Sequence, residues 1–348
     1  NELVEAGEEV HRGVLIRRFP YWRKPLPALK RVMQAARRAH LPLLDYLEPA
    51  TLGPFSPEMF LATRRAEVDV IACMAFPFLH MYYPPSRVPV VLFGALHVRD
   101  DHVSRPVLRA IDKASAYIAF TRFEQETLVR HGAAADRIHV VGLGVDVDRF
   151  AHANGKAIRT RLGIGDEPVV GFVGRQARHK GCDTLVRAMA TVWESWPEAY
   201  LLFAGSRTDF SVELDALIAA LPAERRQRVI VQPDFPEDEK ADWFAACDVF
   251  SCVSTDESFG IVFVEAWACG KPVIGGRIGS VECVIRDGVD GLLVPTGNAD
   301  ELSRAISSLL DDRARAAQMG ANGYHKVRTE HDWPAVVAKV HAIYEQVA

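Results

Sequence analysis

Four charged residues pose the chemical question. Arg175 and Lys180 lie in Val169-Val-Gly-Phe-Val-Gly-Arg-Gln-Ala-Arg-His-Lys-Gly181; Glu257 and Glu265 bracket Glu257-Ser-Phe-Gly-Ile-Val-Phe-Val-Glu265. Arginine offers phosphate oxygens a bidentate contact and lysine a point charge, so a turn that carries both suits a phosphorylated ligand. Gly174, lacking a side chain, would let the backbone come close to it. Helical character from Ser258 onward would leave the N–H groups of Phe259, Gly260 and Ile261 without intrahelical partners, facing an anion or polar oxygens. Gly260 would remove a side chain where a ligand approaches. At about 1.5 Å per residue, Glu257 and Glu265 would stand roughly 12 Å apart. That is too far for a close acid/base pair, but it suits the two ends of an elongated polar ligand. Each half also has a plain structural explanation: a basic glycine turn, or a surface helix with two solvated glutamates.

The elements that must position these groups read as two runs of alternating strand and helix. The short apolar run Asp248 to Val253 reads as a buried parallel strand, followed by the acidic turn Ser254 to Glu257. Ligands in α/β sheets sit beyond such strand carboxyl ends. In the second half, strands are expected at Val169–Val173, Tyr200–Ala204, Val229–Gln232, Pro272–Ile274 and Leu292–Pro295. Helices are expected at Cys182–Trp193, Val212–Ala220, Glu237–Ala246, Ala299–Leu310 and Trp333–Val347. The first half gives strands at Val14–Ile16, Glu67–Phe76, Val88–His97, Ala116–Thr121 and Ile138–Val141, with helices at Leu26–His40, Pro106–Lys113 and Arg122–His131. This alternation implies βαβ units and parallel sheets. The glycines and aspartates of Gly142 to Phe150 predict a linker. The division is then an N-terminal domain over 1–150, a second over 151–330, and a closing helical segment over 331–348.

At 348 residues the chain exceeds one comfortable core. Residues 1–150 carry 20 Lys/Arg against 17 Asp/Glu, and residues 151–348 carry 21 against 28. Such a balance excludes the strongly basic surface of a nucleic-acid binder. Six scattered cysteines form no CxxC pair, which argues against a disulfide framework or a zinc site and for a reducing, cytoplasmic setting. No apolar run approaches the roughly 18 residues of a membrane span.

The set Phe172-Val-Gly-Arg175 with Lys180-Gly181, Glu257 to Glu265, Ala268-Cys-Gly-Lys-Pro-Val273 and Asp287-Gly-Val-Asp-Gly-Leu-Leu-Val294 resembles the retaining GT-B glycosyltransferases of family four. Val145-Asp146…Arg149-Phe150 resembles their inter-domain segment. The resemblance implies two doubly wound Rossmann-like domains with a cleft between them, a nucleotide diphosphate sugar as co-substrate, and neither cofactor nor essential metal. Arg175 and Lys180 would stabilise the diphosphate leaving group. Glu257 would bind donor-sugar hydroxyls, with Ser258, Phe259, Gly260 and Ile261 alongside, and Glu265 the ribose. Phe235 and Lys240 fall where the family contacts the base. A lysine there is similar to the guanine-binding members and favours GDP-mannose over UDP-glucose or UDP-N-acetylglucosamine. His97 corresponds to an acceptor-domain histidine that reaches the donor sugar.

Retention in this family is attributed to front-face chemistry without an assigned enzyme nucleophile, so Glu257 is expected to position the donor. Asp146-Val-Asp148 is read as linker rather than as a metal-binding DxD. The family's opening strand and Gly-rich turn are missing from the start of the sequence, so a shortened first domain is expected. Arg12 to Leu44 holds nine Lys/Arg and no acid, with Phe19, Tyr21 and Trp22 among them. It is expected to be either a solvated cationic face or a dock for an anionic membrane surface, which would place the enzyme on the inner face of the membrane with a lipid or saccharide acceptor. Two other readings stay open: a nucleotide-sugar epimerase of the same fold, and a sugar-nucleotide-binding protein without turnover.

Overall fold

The computed structural model describes residues 5–21, 56–74, 79–82, 87–94 and 103–348. The chain divides into two compact units, Asn1–Val141 with Val340–Ala348, and Gly142–Lys339.

The first unit opens with an exposed antiparallel hairpin of β1 (Gly7–His11) and β2 (Val14–Arg18). Arg17 and Arg18 pair there with Glu8 and Glu9, so two cations of the basic stretch are already engaged. Its sheet is parallel: β3 (Ile71–Cys73), β4 (Val90–Phe93), β5 (Ala116–Ala119) and β6 (Ile138–Val140), in that order. Ile71, Leu92, Val107, Ile111, Tyr117 and Leu128 form its core. Thr121 caps the helix Arg122–Arg130, and buried Glu124 accepts from Tyr117 Oη at 2.6 Å and from the Phe120 N–H at 2.8 Å. That network holds the turn after β5 in place.

The second unit has a six-stranded parallel sheet in the order β12-β11-β10-β7-β8-β9. Its strands are β7 (Val169–Val173), β8 (Tyr200–Ala204), β9 (Val229–Gln232), β10 (Val249–Cys252), β11 (Val273–Gly276) and β12 (Gly291–Val294). β7 and β10 are buried along their whole length. Continuous apolar sequences are what a sheet covered on both faces requires. Adjacent central β7 and β10 send out the two loops with the candidate residues, which is why residues about 80 positions apart in sequence meet.

Several expectations need correction. The helix after β10 is Ile261–Ala268, not a run from Ser258. Gly260 at φ +89° blocks earlier helix, and Phe259 and Gly260 precede the first turn. The linker contains a helical turn, Val147–Ala151, because Asp146 caps it by accepting the Arg149 N–H at 3.1 Å. Asp148 pairs with Arg328 at 2.7 Å, so both aspartates have structural partners. The helix Arg313–Lys326, which carries Gly320 and Gly323, has no counterpart in the expectations. The strand expected over Glu67–Phe76 is only Ile71–Cys73, and that over Val88–His97 is Val90–Phe93. His97 lies outside the described residues, as do the expected helix Leu26–His40 and positions 22–44 of the basic stretch. Among the described residues no helix is long and apolar enough to cross a membrane, and no group of three His, Cys, Asp or Glu could hold a metal ion.

Candidate active site

The loop from β7 and the loop from β10 are stitched together. The Thr255 N–H donates to the His179 carbonyl at 2.8 Å. Gly181, at φ +73°, lies so close to the end of β10 that a Cβ there would stand 2.6 Å from the Val253 carbonyl oxygen. Lys180 Nζ forms an ion pair with Glu257, with side-chain exposures of only 18% and 10%. The two central groups of the expected site therefore face each other. Arg175 is exposed, and no ion pair holds it among the described residues. It is available to a ligand at the mouth of the same loop.

His179 completes the cluster. Burial, then Lys180 and Arg175, push its imidazole below the ordinary value, against the pull of Asp256 and Glu257. It is therefore neutral at physiological pH, among two cations and two acids. The expectations omitted it, although it directly precedes Lys180.

Gly174 donates its N–H to the Ala204 carbonyl at 2.8 Å, at φ +148°. Its neighbour across the loop is Val262, in the first turn of Ile261–Ala268, so the glycine turn and that helix start meet. Gly260 has a local reason to be glycine. Besides its positive φ, a Cβ would lie 2.6 Å from the ring of Phe263. Ser258 and Ile261 are half-buried, while Phe259 is 2% exposed. The Glu257 carbonyl accepts from Ser280 Oγ at 2.5 Å, which ties the loop to the start of Gly279–Glu282.

Deeper in, Glu265 is 6% exposed, on the buried face of its helix. One carboxylate oxygen pairs with Lys240, the first residue of the helix Lys240–Ala246; the other has no hydrogen-bond partner. Burial pushes the Glu265 carboxyl up, opposed by Lys240. A buried, half-satisfied carboxylate is costly, and a hydroxyl that donates to the free oxygen would relieve it. Phe235 packs on Trp243 of the same helix at 5.8 Å between ring centroids, just after Asp234, whose φ is +53°. The structure thus brings together Gly174, Arg175, Lys180, Glu257, Ser258, Gly260 and Ile261, and joins Lys240 to Glu265. A cavity of about 570 Å³ lined by Lys156, Arg159, Asp248 and Lys271 lies at the other end, where β7, β10 and β11 begin.

Parallel sheets in each unit, with cationic and acidic loops at the carboxyl ends of β7 and β10, define an α/β protein of the GT-B class. Residues 155–326 match the family described as glycosyl transferases group 1. A D-inositol 3-phosphate glycosyltransferase of Xylanimonas cellulosilytica is 37% identical over 246 residues, which cover 68% of this chain and 58% of the relative. The chain thus spans less than two thirds of that relative's length. Anabaena Alr3699/HepE in complex with UDP-glucose has the same fold, with TM-score 0.70 and 23% identity over 94% of this chain and 97% of that one. The C-terminal domain of a group 1 family protein, LpcC, from Francisella tularensis matches 55% of this chain over its whole length, at 25% identity and TM-score 0.50.

Proposed function

We propose that this protein is a retaining, metal-independent hexosyltransferase that uses a nucleotide diphosphate sugar. The observation that carries the reading is the pair of carboxylate–lysine contacts, Lys180–Glu257 and Lys240–Glu265, set into the loop and helix after β10. On donor binding Lys180 exchanges Glu257 for the diphosphate, and Glu257 exchanges Lys180 for sugar hydroxyls. Glu265 accepts from the ribose with its free oxygen. The bond from the anomeric carbon to the diphosphate oxygen breaks with its electron pair on that oxygen, where Arg175 and Lys180 stabilise the charge. The acceptor hydroxyl attacks from the same face, and its proton passes to the departing phosphate. His97 reaches the donor sugar from the acceptor side.

The resemblance at Lys240, whose ammonium pairs with Glu265, makes GDP-mannose the first donor to try, and the likeness to a protein solved with UDP-glucose makes UDP-glucose the second. The acceptor is a lipid or glycan of the cell envelope, and the name of the curated relative adds D-inositol 3-phosphate to the acceptors worth testing. The enzyme works on the cytoplasmic side, peripheral to an anionic membrane through residues 12–44.

The deciding experiment incubates the chain with each donor, with and without acceptors, in EDTA. Product with retained anomeric configuration, abolished by Lys180→Ala and by Glu257→Ala in folded protein, is expected. An epimer from donor alone, or wild-type rates in both variants, would overturn the assignment. Equal co-sedimentation with neutral and anionic vesicles would remove the membrane part.

A further inference from the structure

Phe259 carries the buried side chain of its loop: Thr255 is exposed, Asp256, Glu257 and Ser258 are half-buried, and Phe259 is 2% exposed. Its ring meets the imidazole of His331 edge to face, at 5.5 Å between centroids and 66° between planes. His331 is 7% exposed and closes Val327–His331, the π-type turn that ends the long helix from Arg313, where Arg328, Thr329 and Glu330 are all exposed. Burial holds its imidazole below the ordinary value, so the ring is neutral at physiological pH and donates from Nδ1 to the Leu143 carbonyl at 3.2 Å. Its own carbonyl accepts the Val145 N–H at 2.8 Å, and the Trp333 N–H reaches the Val145 carbonyl at 3.3 Å. Segments 143–145 and 331–333 thus form one short parallel ladder. Gly142 runs beside both rings at φ +88°, with a Cβ position at ordinary contact distance, 3.4 Å from the His331 ring and 3.7 Å from that of Phe259. Nothing in the types or spacing of these residues announced the arrangement.

We propose that His331 is a positioning residue for the donor loop, acting through Phe259. The ladder fixes the imidazole, the imidazole fixes the Phe259 ring, and the ring fixes the backbone that presents Glu257, Ser258 and Gly260. His331 touches neither donor nor acceptor. This rests on the reading of residues 255–261 as a donor loop.

The test is a double-mutant cycle on the full chain, with GDP-mannose and UDP-glucose binding read by calorimetry. His331→Ala and Phe259→Ala are each expected to weaken binding by about tenfold, the order of an edge-to-face ring contact. The effect of His331→Ala should nearly vanish in the Phe259→Ala background, because the two act in series. His331→Phe keeps a ring against Phe259 and is expected to bind within about twofold of wild type. Additive effects, or His331→Ala binding as wild type does, would overturn the proposal. A residue needed only for stability would lower the melting temperature without this coupling. If His331→Ala fails to fold, His331→Gln with Phe259→Leu runs the same cycle. A wild-type chain that binds neither sugar nucleotide sinks the reading of the function; a wild type that binds, with additive variants, sinks this inference alone.

Discussion

Glu265 holds the least comfortable charge in the described site, and its discomfort has a measurable sign. Burial raises its carboxyl, so between the unfolded value and the raised folded value the native chain binds more protons than the unfolded one. Stability contributed by this group therefore falls as pH rises through that window. Glu265→Gln removes the titration and is expected to melt about 2 °C or more above wild type at pH 7, with the difference shrinking toward pH 4. The same variant should bind sugar nucleotides more weakly, since the amide accepts less strongly and carries no charge. Calorimetric scans at both pH values check it; a lower melting temperature at pH 7 would show that the Lys240 contact outweighs the burial. Residue types and spacing singled out Glu257, Glu265, Arg175 and Lys180, and of these the structure joins Lys180 to Glu257. That Lys240 pairs with Glu265, rather than waiting free for a base, was not legible. Such a pairing depends on how Lys240–Ala246 packs, not on anything local to Lys240.

At the scale of elements, the strands at the start of the second unit and the helix Trp333–Val347 were the most legible. β7, β8 and β9 follow their apolar runs residue for residue: β7 and β8 carry the continuous signal of buried parallel strands, and β9, half-buried at the sheet edge, is marked by its β-branched run. Ile261–Ala268 begins later than expected because Gly260, read as an opening for a ligand, is also the residue that delays the helix. Arg313–Lys326 was missed because Gly320 and Gly323 look like breakers. The packing explains them. A Cβ on Gly323 would stand 2.0 Å from Cδ1 of Trp267, and one on Gly320 2.0 Å from the Gly270 carbonyl oxygen. These glycines let the helix lie directly on the end of Ile261–Ala268. Gly323→Ala should therefore destabilise by about 2 kcal/mol or more, although alanine is the better helix former by about 1 kcal/mol. Urea unfolding reads this directly, and a variant more stable than wild type would show that Trp267 gives way. The motif Asp287 to Val294 is structural by the same logic. Asp290 is fully buried, accepts the Arg286 N–H at 2.7 Å and meets Lys326 at 3.3 Å, which fastens β12 to this helix.

At the scale of the molecule, the two runs of alternation were visible because glycines and aspartates interrupt them at 142–155. Which run the interrupting segment joins was not visible, since its ladder partner lies almost 190 residues further on, at Asp332. The compact unit Gly142–Lys339 contains β7 to β12, both lysine–glutamate pairs and the Phe259–His331 contact. A fragment of residues 142–339 is therefore expected to fold on its own and to bind GDP or UDP within about threefold of the full chain, a difference under 1 kcal/mol. At a ligand concentration 100 times its dissociation constant, that nucleotide should stabilise the fragment by about 2.7 kcal/mol against urea. It should transfer no sugar, because the proposed acceptor side, with His97, belongs to the other unit. A fragment that folds but binds the nucleotide more than about tenfold more weakly than the full chain would mean that the grip is not complete within this unit. A fragment that still transfers sugar would place the acceptor site on this unit and remove His97 from the mechanism.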